Sequence, residues 1–206
     1  MVGHTAFPEE KRVVLPEDLE PIRSLEDYRA KGGLSGLNKA RSMSPRDVIA
    51  EVKKSGLRGR GGAGFPAAVK WEGLASDPSP TRYTVCNGSE GEPGTFKDRY
   101  LIRKNPYQLL EGILIAAYAV SAKQAFLGLK AKFIPEMLRV QGALKEMEQS
   151  GIVQKDYIEI VQGPDEYLFG EEKALLEVID GRGAMPRNMP PYMQGVHYTP
   201  TEYNPT

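Results

Sequence analysis

The chain has 206 residues, and its 27 lysines and arginines are matched by 27 aspartates and glutamates. This length suits one ordinary domain, and the balanced charge argues against nonspecific nucleic-acid binding. Cys86 is the only cysteine, and His4 and His197 are the only histidines. We therefore predict no intrachain disulfide, no metal site and no nucleic-acid partner.

The sequence shows neither a membrane span nor a signal-peptide pattern. Residues 1–16 are mixed and charged, without the apolar core of a signal peptide. The longest apolar stretch, residues 109–120, is interrupted by Glu111 and Gly112 and is too short to span a bilayer. We expect no direct membrane insertion and a soluble, cytoplasmic protein, either free or peripheral on the cytoplasmic face of a membrane complex.

The two ends of the chain differ in composition from its middle. Residues 1 to about 30 are rich in proline and charge, which predicts an N-terminal arm that packs on another surface, such as a partner subunit. A flexible tail is the alternative. Residues 31–206 are assigned to one α/β domain, and its part from about residue 181 is predicted to be an irregular, proline-rich tail.

Helices and strands are predicted to alternate between these ends. The first helix begins at Pro45, after the N-cap Ser44, and ends at Gly56. A short buried strand follows over 83–86. The remaining predicted elements are a buried helix over about 106–122, a strand over 124–129, a surface helix over 134–149, a strand over 157–161 and a helix over 171–179. This alternation indicates a layered α/β fold with a mostly parallel sheet.

The most informative segment is residues 55–66, which we call the glycine loop. Its four glycines between positions 59 and 64 permit positive φ or the close approach of a ligand, and Arg58 and Arg60 could pair with a phosphate. Because a helix precedes this loop, it is not the dinucleotide fingerprint that follows a strand. A flexible surface turn is the alternative, but the arginines and the nearby Lys70 favour ligand binding.

A second glycine-rich segment, the acidic loop, covers residues 87–99. Its Asn87 could contact a ring edge or a hydroxyl. Glu90 and Glu92 could accept hydrogen bonds from ribose hydroxyls or lie beside a reacting ring. The alternative is a solvated turn, which Pro93-Gly94 supports.

Gly170-Glu171-Glu172 opens the last predicted helix. Acids at a helix N-terminus suit the helix dipole, which explains them without any ligand. Both this turn and Asn87 follow predicted strands, and ligands of parallel sheets bind at the carboxyl ends of strands. The position therefore keeps a functional role open.

These segments resemble the NADH-binding, FMN-containing flavoprotein (51 kDa) subunit of respiratory complex I, with relatives in NAD-linked hydrogenases and formate dehydrogenases. The resemblance runs from about Gly32 to about Thr206. The matching motifs are Ser42-Met43-Ser44-Pro45, Ser55 to Pro66, Lys70-Trp71, Glu92-Pro93-Gly94, Phe96-Lys97-Asp98-Arg99, and Gly170-Glu171-Glu172 with Ala174-Leu175. A match of this length and order is specific.

The resemblance implies a three-layer α/β domain that binds FMN, with NADH stacked on the flavin and a hydride passing from nicotinamide to flavin. The cofactors carry the chemistry, so no side chain is assigned as catalytic, although Glu90 lies nearby. The residues implied to bind the flavin cofactor are Gly59, Arg60, Gly61, Gly62, Gly64, Lys70, Asn87, Ser89, Glu90, Gly170 and Glu171. Those implied to contact NADH are Phe65, Glu92, Glu172 and Tyr192. The implied partners are iron–sulfur protein subunits of a larger redox complex.

Several departures from the family pattern bear on these roles. Ser89 replaces an aspartate that contacts the flavin, Phe169 replaces a cysteine, and Met189 replaces a lysine near the NADH site. The sequence ends at Thr206, before a further FMN-phosphate segment, a ubiquitin-like domain and a four-cysteine domain that carries a 4Fe–4S cluster. We therefore expect no iron–sulfur cluster in this chain.

These departures leave two alternatives to a working flavoprotein. One is a truncated or degenerate homologue that acts as a non-redox structural or nucleotide-binding subunit. The other is that the sequence is a piece of a longer protein.

Overall fold

A computed structural model of the chain describes residues 14, 15, 18–197 and 206. Its sheet has three parallel strands, β1 (Tyr83–Asn87), β2 (Gln124–Lys130) and β3 (Ile158–Gly163), in the order β1-β2-β3. The described helices are α1 (Leu25–Ala30), α2 (Ser35–Arg41), α3 (Pro45–Ser55), α4 (Ala67–Ser76), α5 (Lys97–Lys104), α6 (Pro106–Ala119), α7 (Ile134–Gln149) and α8 (Glu172–Ile179), with a 3₁₀ turn at Tyr167–Gly170. Because parallel strands need crossovers, α5 and α6 connect β1 to β2, and α7 connects β2 to β3.

Strand β2 separates two helical layers, since alternate residues of a strand point to opposite faces of the sheet. Ala125, Leu127 and Leu129 pack into a core with α6 and α7. Phe126 packs with Leu176 of α8 on the other face. The predicted three-layer α/β fold with a parallel sheet is thereby confirmed.

Two glycines of the sheet let α8 and the turn before it lie directly on the strands. A Cβ added at Gly128 would stand 2.5 Å from a Leu175 methyl carbon, and one at Gly163 would overlap the Phe169 ring. Both separations are too short for a real Cβ, so a larger residue at either position would force Leu175 or Phe169 to move. The N-terminus of α8 consequently lies at the edge where the strands end.

Most of the predicted elements occur, with boundaries shifted by a few residues. α3 begins at Pro45 as predicted, and Gly56 ends it with a left-handed φ of 69°. α6 ends at Ala119 rather than near residue 122, and β3 covers 158–163 rather than 157–161. Local capping residues therefore locate helix ends more sharply than hydrophobicity does.

The sequence patterns do not predict α1, α2, α4 or α5. A carboxylate on a distant helix holds the first two of these in place. Glu111 of α6 is buried and accepts hydrogen bonds from the Tyr28 hydroxyl and from the backbone N–H groups of Leu34 at 2.9 Å and Leu37 at 2.7 Å. Burial, together with the hydrogen bond and charge of Glu111, raises the pKa of Tyr28. Such long-range ties leave no local signal in the sequence.

The last part of the predicted N-terminal arm lies in the protein core. Ile22, Leu25 and Tyr28 are buried in the cluster that contains α6 and α7. Residues 1–13 and 16–17 lie outside the described residues, and a boundary near residue 30 stays a prediction.

The described part of the C-terminal tail, residues 181–197, contains no helix or strand, and residues 198–205 lie outside the description. Among the helices that the structure describes, none is long and apolar enough to cross a membrane.

Candidate functional site

The carboxyl end of β1 is fastened to the turn that precedes α8. The Asn87 side-chain amide donates a hydrogen bond to the Gly170 carbonyl at 2.8 Å. Its Oδ1 accepts hydrogen bonds from the Ser89 hydroxyl at 2.7 Å and from the Ser89 backbone N–H at 3.1 Å. Ser89 is almost completely buried. The buried Ser89 therefore holds the exposed Asn87 in place at the wall of the candidate site.

Glycines of the acidic loop and of the facing turn lie in close contact with neighbouring atoms. A Cβ at Gly88 would stand 2.8 Å from a Leu129 methyl carbon. One at Gly91 would stand 3.1 Å from the Tyr167 carbonyl oxygen, and one at Gly170 would stand 3.1 Å from the Ser89 hydroxyl. The acidic loop is thus packed tightly against β2 and the 3₁₀ turn.

Glu90 caps the N-terminus of α5. Its carboxylate accepts hydrogen bonds from the backbone N–H groups of Asp98 at 2.8 Å and Arg99 at 3.2 Å, and from Arg99 Nε at 3.1 Å. Burial raises the pKa of Glu90, but these hydrogen bonds and the Arg99 charge outweigh it, so the pKa lies below its ordinary value. Both carboxylate oxygens are engaged within the protein, and the cofactor contact expected of Glu90 stays a prediction.

Glu92 remains at the surface, where it meets a residue that the sequence analysis missed. The Tyr167 hydroxyl donates a hydrogen bond to Glu92 Oε2 at 2.8 Å, and both residues are exposed. This hydrogen bond and the Glu92 charge raise the pKa of Tyr167. Sequence reasoning could have found Tyr167 from its position just before the Gly170-Glu171-Glu172 motif. A residue next to one predicted site segment is a candidate for contact with the other.

The glycine loop is closed at its base and open at its tip. The Gly59 N–H donates to the Phe65 carbonyl at 2.9 Å, and Arg58 Nη1 donates to the Gly64 carbonyl at 3.0 Å. Gly62 and Gly64 have left-handed φ values of 109° and 61°. A Cβ built at position 61, 62 or 64 meets no atom within 4 Å. Packing thus does not explain the glycine at position 61, and backbone conformation alone accounts for those at 62 and 64.

The end of the glycine loop meets the start of α8. Lys70 Nζ lies 2.6 Å from Glu172 Oε1 and 5.9 Å from the centre of the Phe65 ring. All three side chains are substantially exposed. Glu171 lies beside this junction and caps α8, accepting hydrogen bonds from two backbone N–H groups. A cation, an aromatic ring and a carboxylate therefore share one open surface.

Most of the predicted site residues fall along one continuous surface. It runs from the glycine loop through Lys70 and Glu172 to Gly170, and from there to Asn87 and the acidic loop. Tyr192 is strongly exposed in the tail, and no described contact joins it to this surface. Arg60 is exposed at the tip of the glycine loop.

Lys130, the last residue of β2, is a second residue that the sequence analysis missed. It is only 3% exposed, and its Nζ donates a hydrogen bond to the Asp165 carbonyl at 3.0 Å. Burial and the charges of Lys132 and Arg99 lower the pKa of Lys130, and the attraction of Asp165 offsets only part of this effect. A lysine that ends an apolar strand is the signal, because strand ends are where ligands bind.

A cavity of about 460 Å³ lies between β1 and the helices α5 and α6. It reaches the acidic loop only at Asn87, Gly88 and Asp98. Neither Phe65 nor Glu172 lines it. The candidate site is therefore an open surface that borders this cavity at Asn87 and the acidic loop.

A comparison with known protein families shows which family has these segments. A family model described as the Nuo51 FMN-binding domain matches residues 52–203, which include the glycine loop, the acidic loop and α8. The chain belongs to this family. The resemblance inferred from the motifs is confirmed.

Two curated relatives show how much of a family member the chain represents. It is 39% identical over 193 residues to an NADH-quinone oxidoreductase subunit of Aquifex aeolicus, covering 89% of this chain and 45% of that protein. It is 37% identical over 188 residues to the Escherichia coli protein of the same name, covering 86% of this chain and 42% of that protein. The chain thus spans less than half the length of these relatives.

A solved structure supports the same assignment. The chain matches an NAD⁺-reducing [NiFe]-hydrogenase in its H₂-reduced state with a TM-score of 0.69 and 36% sequence identity, over 78% of this chain and 29% of that one. The air-oxidised state of an NAD⁺-reducing [NiFe]-hydrogenase matches with a TM-score of 0.70 and 38% identity, over 78% of this chain and 28% of that one.

Proposed function

We propose that this chain is a flavoprotein subunit, or a fragment of one, of an NADH:acceptor oxidoreductase, and that it binds FMN and NADH. The observation that carries the proposal is the open tip of the glycine loop, which meets a Lys70–Glu172 ion pair at the N-terminus of α8. Membership of an FMN-binding family supports the same ligand. When bound, FMN supplies a ring that accepts a hydride from the nicotinamide of NADH.

The residues present fit an anionic, planar cofactor. The exposed cations Arg60 and Lys70 suit a phosphate, and the open glycine backbone suits close approach of a ring. Lys70 pairs with Glu172 in this structure, so a phosphate would compete with that carboxylate for the ammonium. Asn87, Ser89 and the turn at Gly170 form the wall at the strand ends.

The NADH contacts are assigned to exposed groups on the same surface. The Phe65 ring is 48% exposed and can pack against the dinucleotide. Glu92 and Glu172 present carboxylate oxygens that can accept hydrogen bonds from ribose hydroxyls. Tyr192 offers a ring for the adenine, and its 70% exposure leaves that ring accessible.

Electrons would leave this chain for iron–sulfur protein subunits, which we propose as its partners. The relatives are named as subunits of an NADH-quinone oxidoreductase, and the structural match is to an NAD⁺-reducing hydrogenase. Similarity to these proteins also favours a cytoplasmic location, which we include in the proposal. No comparison supports the alternative of a non-redox homologue.

The proposal is tested by titrating the purified chain with FMN and following flavin fluorescence, then adding NADH without oxygen. We expect saturable FMN binding and loss of the oxidised-flavin absorbance on addition of NADH. Lys70→Met should weaken FMN binding, whereas Lys54→Met, an exposed lysine on α3, should not. Absence of FMN binding by the unmodified chain would contradict the proposal.

A further inference from the structure

The central strand of the sheet ends in a buried positive charge. Lys130 is 3% exposed, and its ammonium lies beneath the acidic loop, 3.6 Å from the place where a Gly91 Cβ would stand. Its hydrogen-bond acceptor is the backbone carbonyl of Asp165. The ammonium therefore lies directly behind the loop that forms one wall of the candidate site.

This charge has no close counter-ion among the residues that the structure describes. No described carboxylate lies within the 4.0 Å of its Nζ that defines an ion pair, and the Asp165 carboxylate is 3.6 Å from Lys132 instead. The charges that act on Lys130 are those of Lys132 and Arg99, which repel it, and that of Asp165, which attracts it from beyond ion-pair distance. A buried cation with no counter-ion in direct contact is costly.

A structural role alone does not require the charge. The hydrogen bond to the Asp165 carbonyl needs only a neutral donor, such as an amide. The alternation of β2 points Lys130 to the same face as Phe126 and Gly128, which is the face that α8 and Asn87 share. The cation is thus retained on the ligand-binding side of the sheet.

We propose that Lys130 is an electrostatic positioning residue of the flavin site, whose buried ammonium favours the more electron-rich, reduced form of the bound ring. This inference rests on the proposed function. Lys130 acts through the acidic loop, because its ammonium lies directly behind Gly91. A charge that is shielded from solvent is screened less than an exposed one, so its field extends further into its surroundings.

The test compares Lys130→Gln with Lys130→Arg and with Lys132→Met as the matched control. The glutamine keeps a donor for the Asp165 carbonyl but removes the charge, the arginine keeps the charge, and Lys132 is an exposed lysine two residues away. The measurements are the dissociation constant for oxidised FMN, the reduction potential of bound FMN and the melting temperature of each protein.

We expect Lys130→Gln to lose about tenfold more affinity for reduced than for oxidised FMN, which for a two-electron couple lowers the potential by about 30 mV. Lys130→Arg and Lys132→Met should keep the unmodified potential. An unchanged potential in Lys130→Gln, or an equal fall in Lys132→Met, would overturn the inference while leaving the proposed function intact. If Lys130→Gln fails to fold, a fall in potential with Lys130→Arg overturns it. Failure of the unmodified chain to bind FMN would overturn both.

Discussion

The glycine loop and the acidic loop are both rich in glycine, yet the fold uses their glycines in opposite ways. In the acidic loop, Gly88 and Gly91 are pressed against neighbouring atoms, and Glu90 caps a helix. In the glycine loop, a side chain at Gly61 would enter open space. Glycine therefore permits close packing in one loop and leaves open space in the other.

This difference separates the consequences of mutation. Changes in the acidic loop should first reduce the free energy of unfolding, because that loop is part of the packed structure. Changes at the tip of the glycine loop should reduce ligand affinity and leave stability nearly unchanged. The predictions below run from the largest expected effect on stability to the smallest.

Glu90→Gln should have the largest effect. It removes the charge that accepts two backbone N–H groups of α5 and the Arg99 side chain. At about 1.5–3 kcal/mol for a hydrogen bond to a charged group, we expect a loss of about 3 kcal/mol at neutral pH. Chemical denaturation of both proteins measures it. A loss below about 0.5 kcal/mol would show that the cap contributes little.

The Glu90 contribution should also depend on pH. Because the pKa of Glu90 is lowered in the folded protein, its stabilisation is present above the ordinary value of 4.5 and disappears as the pH falls through the folded-state pKa. The difference in stability between the unmodified chain and Glu90→Gln should therefore shrink on acidification below about pH 4.5. A difference that stays constant down to that folded-state pKa would contradict this assignment.

Gly88→Ala should destabilise the protein by about 1–3 kcal/mol, since its Cβ would stand 2.8 Å from a Leu129 methyl carbon and 3.2 Å from the Gly128 carbonyl oxygen. Thermal melts measure the loss. Gly73→Ala is the control, because its Cβ meets nothing within 4 Å and its helical position favours alanine. Equal melting temperatures for Gly88→Ala and the unmodified chain would show that the acidic loop yields easily.

Glu172→Gln should change stability by less than about 1 kcal/mol, because its ion pair with Lys70 is exposed. Its effect should appear in NADH affinity, which we expect to fall by about 1–3 kcal/mol if the carboxylate accepts ribose hydroxyls. NADH affinity is measured by isothermal titration. Glu72→Gln is the control, because Glu72 forms a comparable exposed ion pair with Lys53. Equal affinities in both variants would remove Glu172 from the site.

The parts of the fold that could be predicted depend on local chemistry. Pro45 and Gly56 mark the ends of α3 because capping is decided within one turn. The helices α1 and α2 depend on Glu111, more than seventy residues away, so their local sequence carries little signal. A carboxylate that is 74 residues distant from its partner Leu37 cannot be assigned from spacing.

The candidate site shows the same division. The exposed Phe65, Lys70 and Glu172 meet as a group, and the motifs predict all three as ligand contacts. The sequence pattern groups Glu90 with them because acids suit hydroxyls, but its partners are set by where α5 begins, which no local signal reveals. Lys130 is missed because one lysine at a strand end is ordinary until its burial is known.

The central claim is that the glycine loop is open because a cofactor approaches it. Gly61→Val tests this most directly, with Gly142→Val on α7 as its match, because a Cβ at either exposed glycine meets no atom within 4 Å. FMN titration and thermal melts should be measured on both. We predict that Gly61→Val binds FMN at least about tenfold more weakly, with stability within about 0.5 kcal/mol of the unmodified chain, and that Gly142→Val keeps both properties. Unchanged FMN affinity in Gly61→Val would contradict the account.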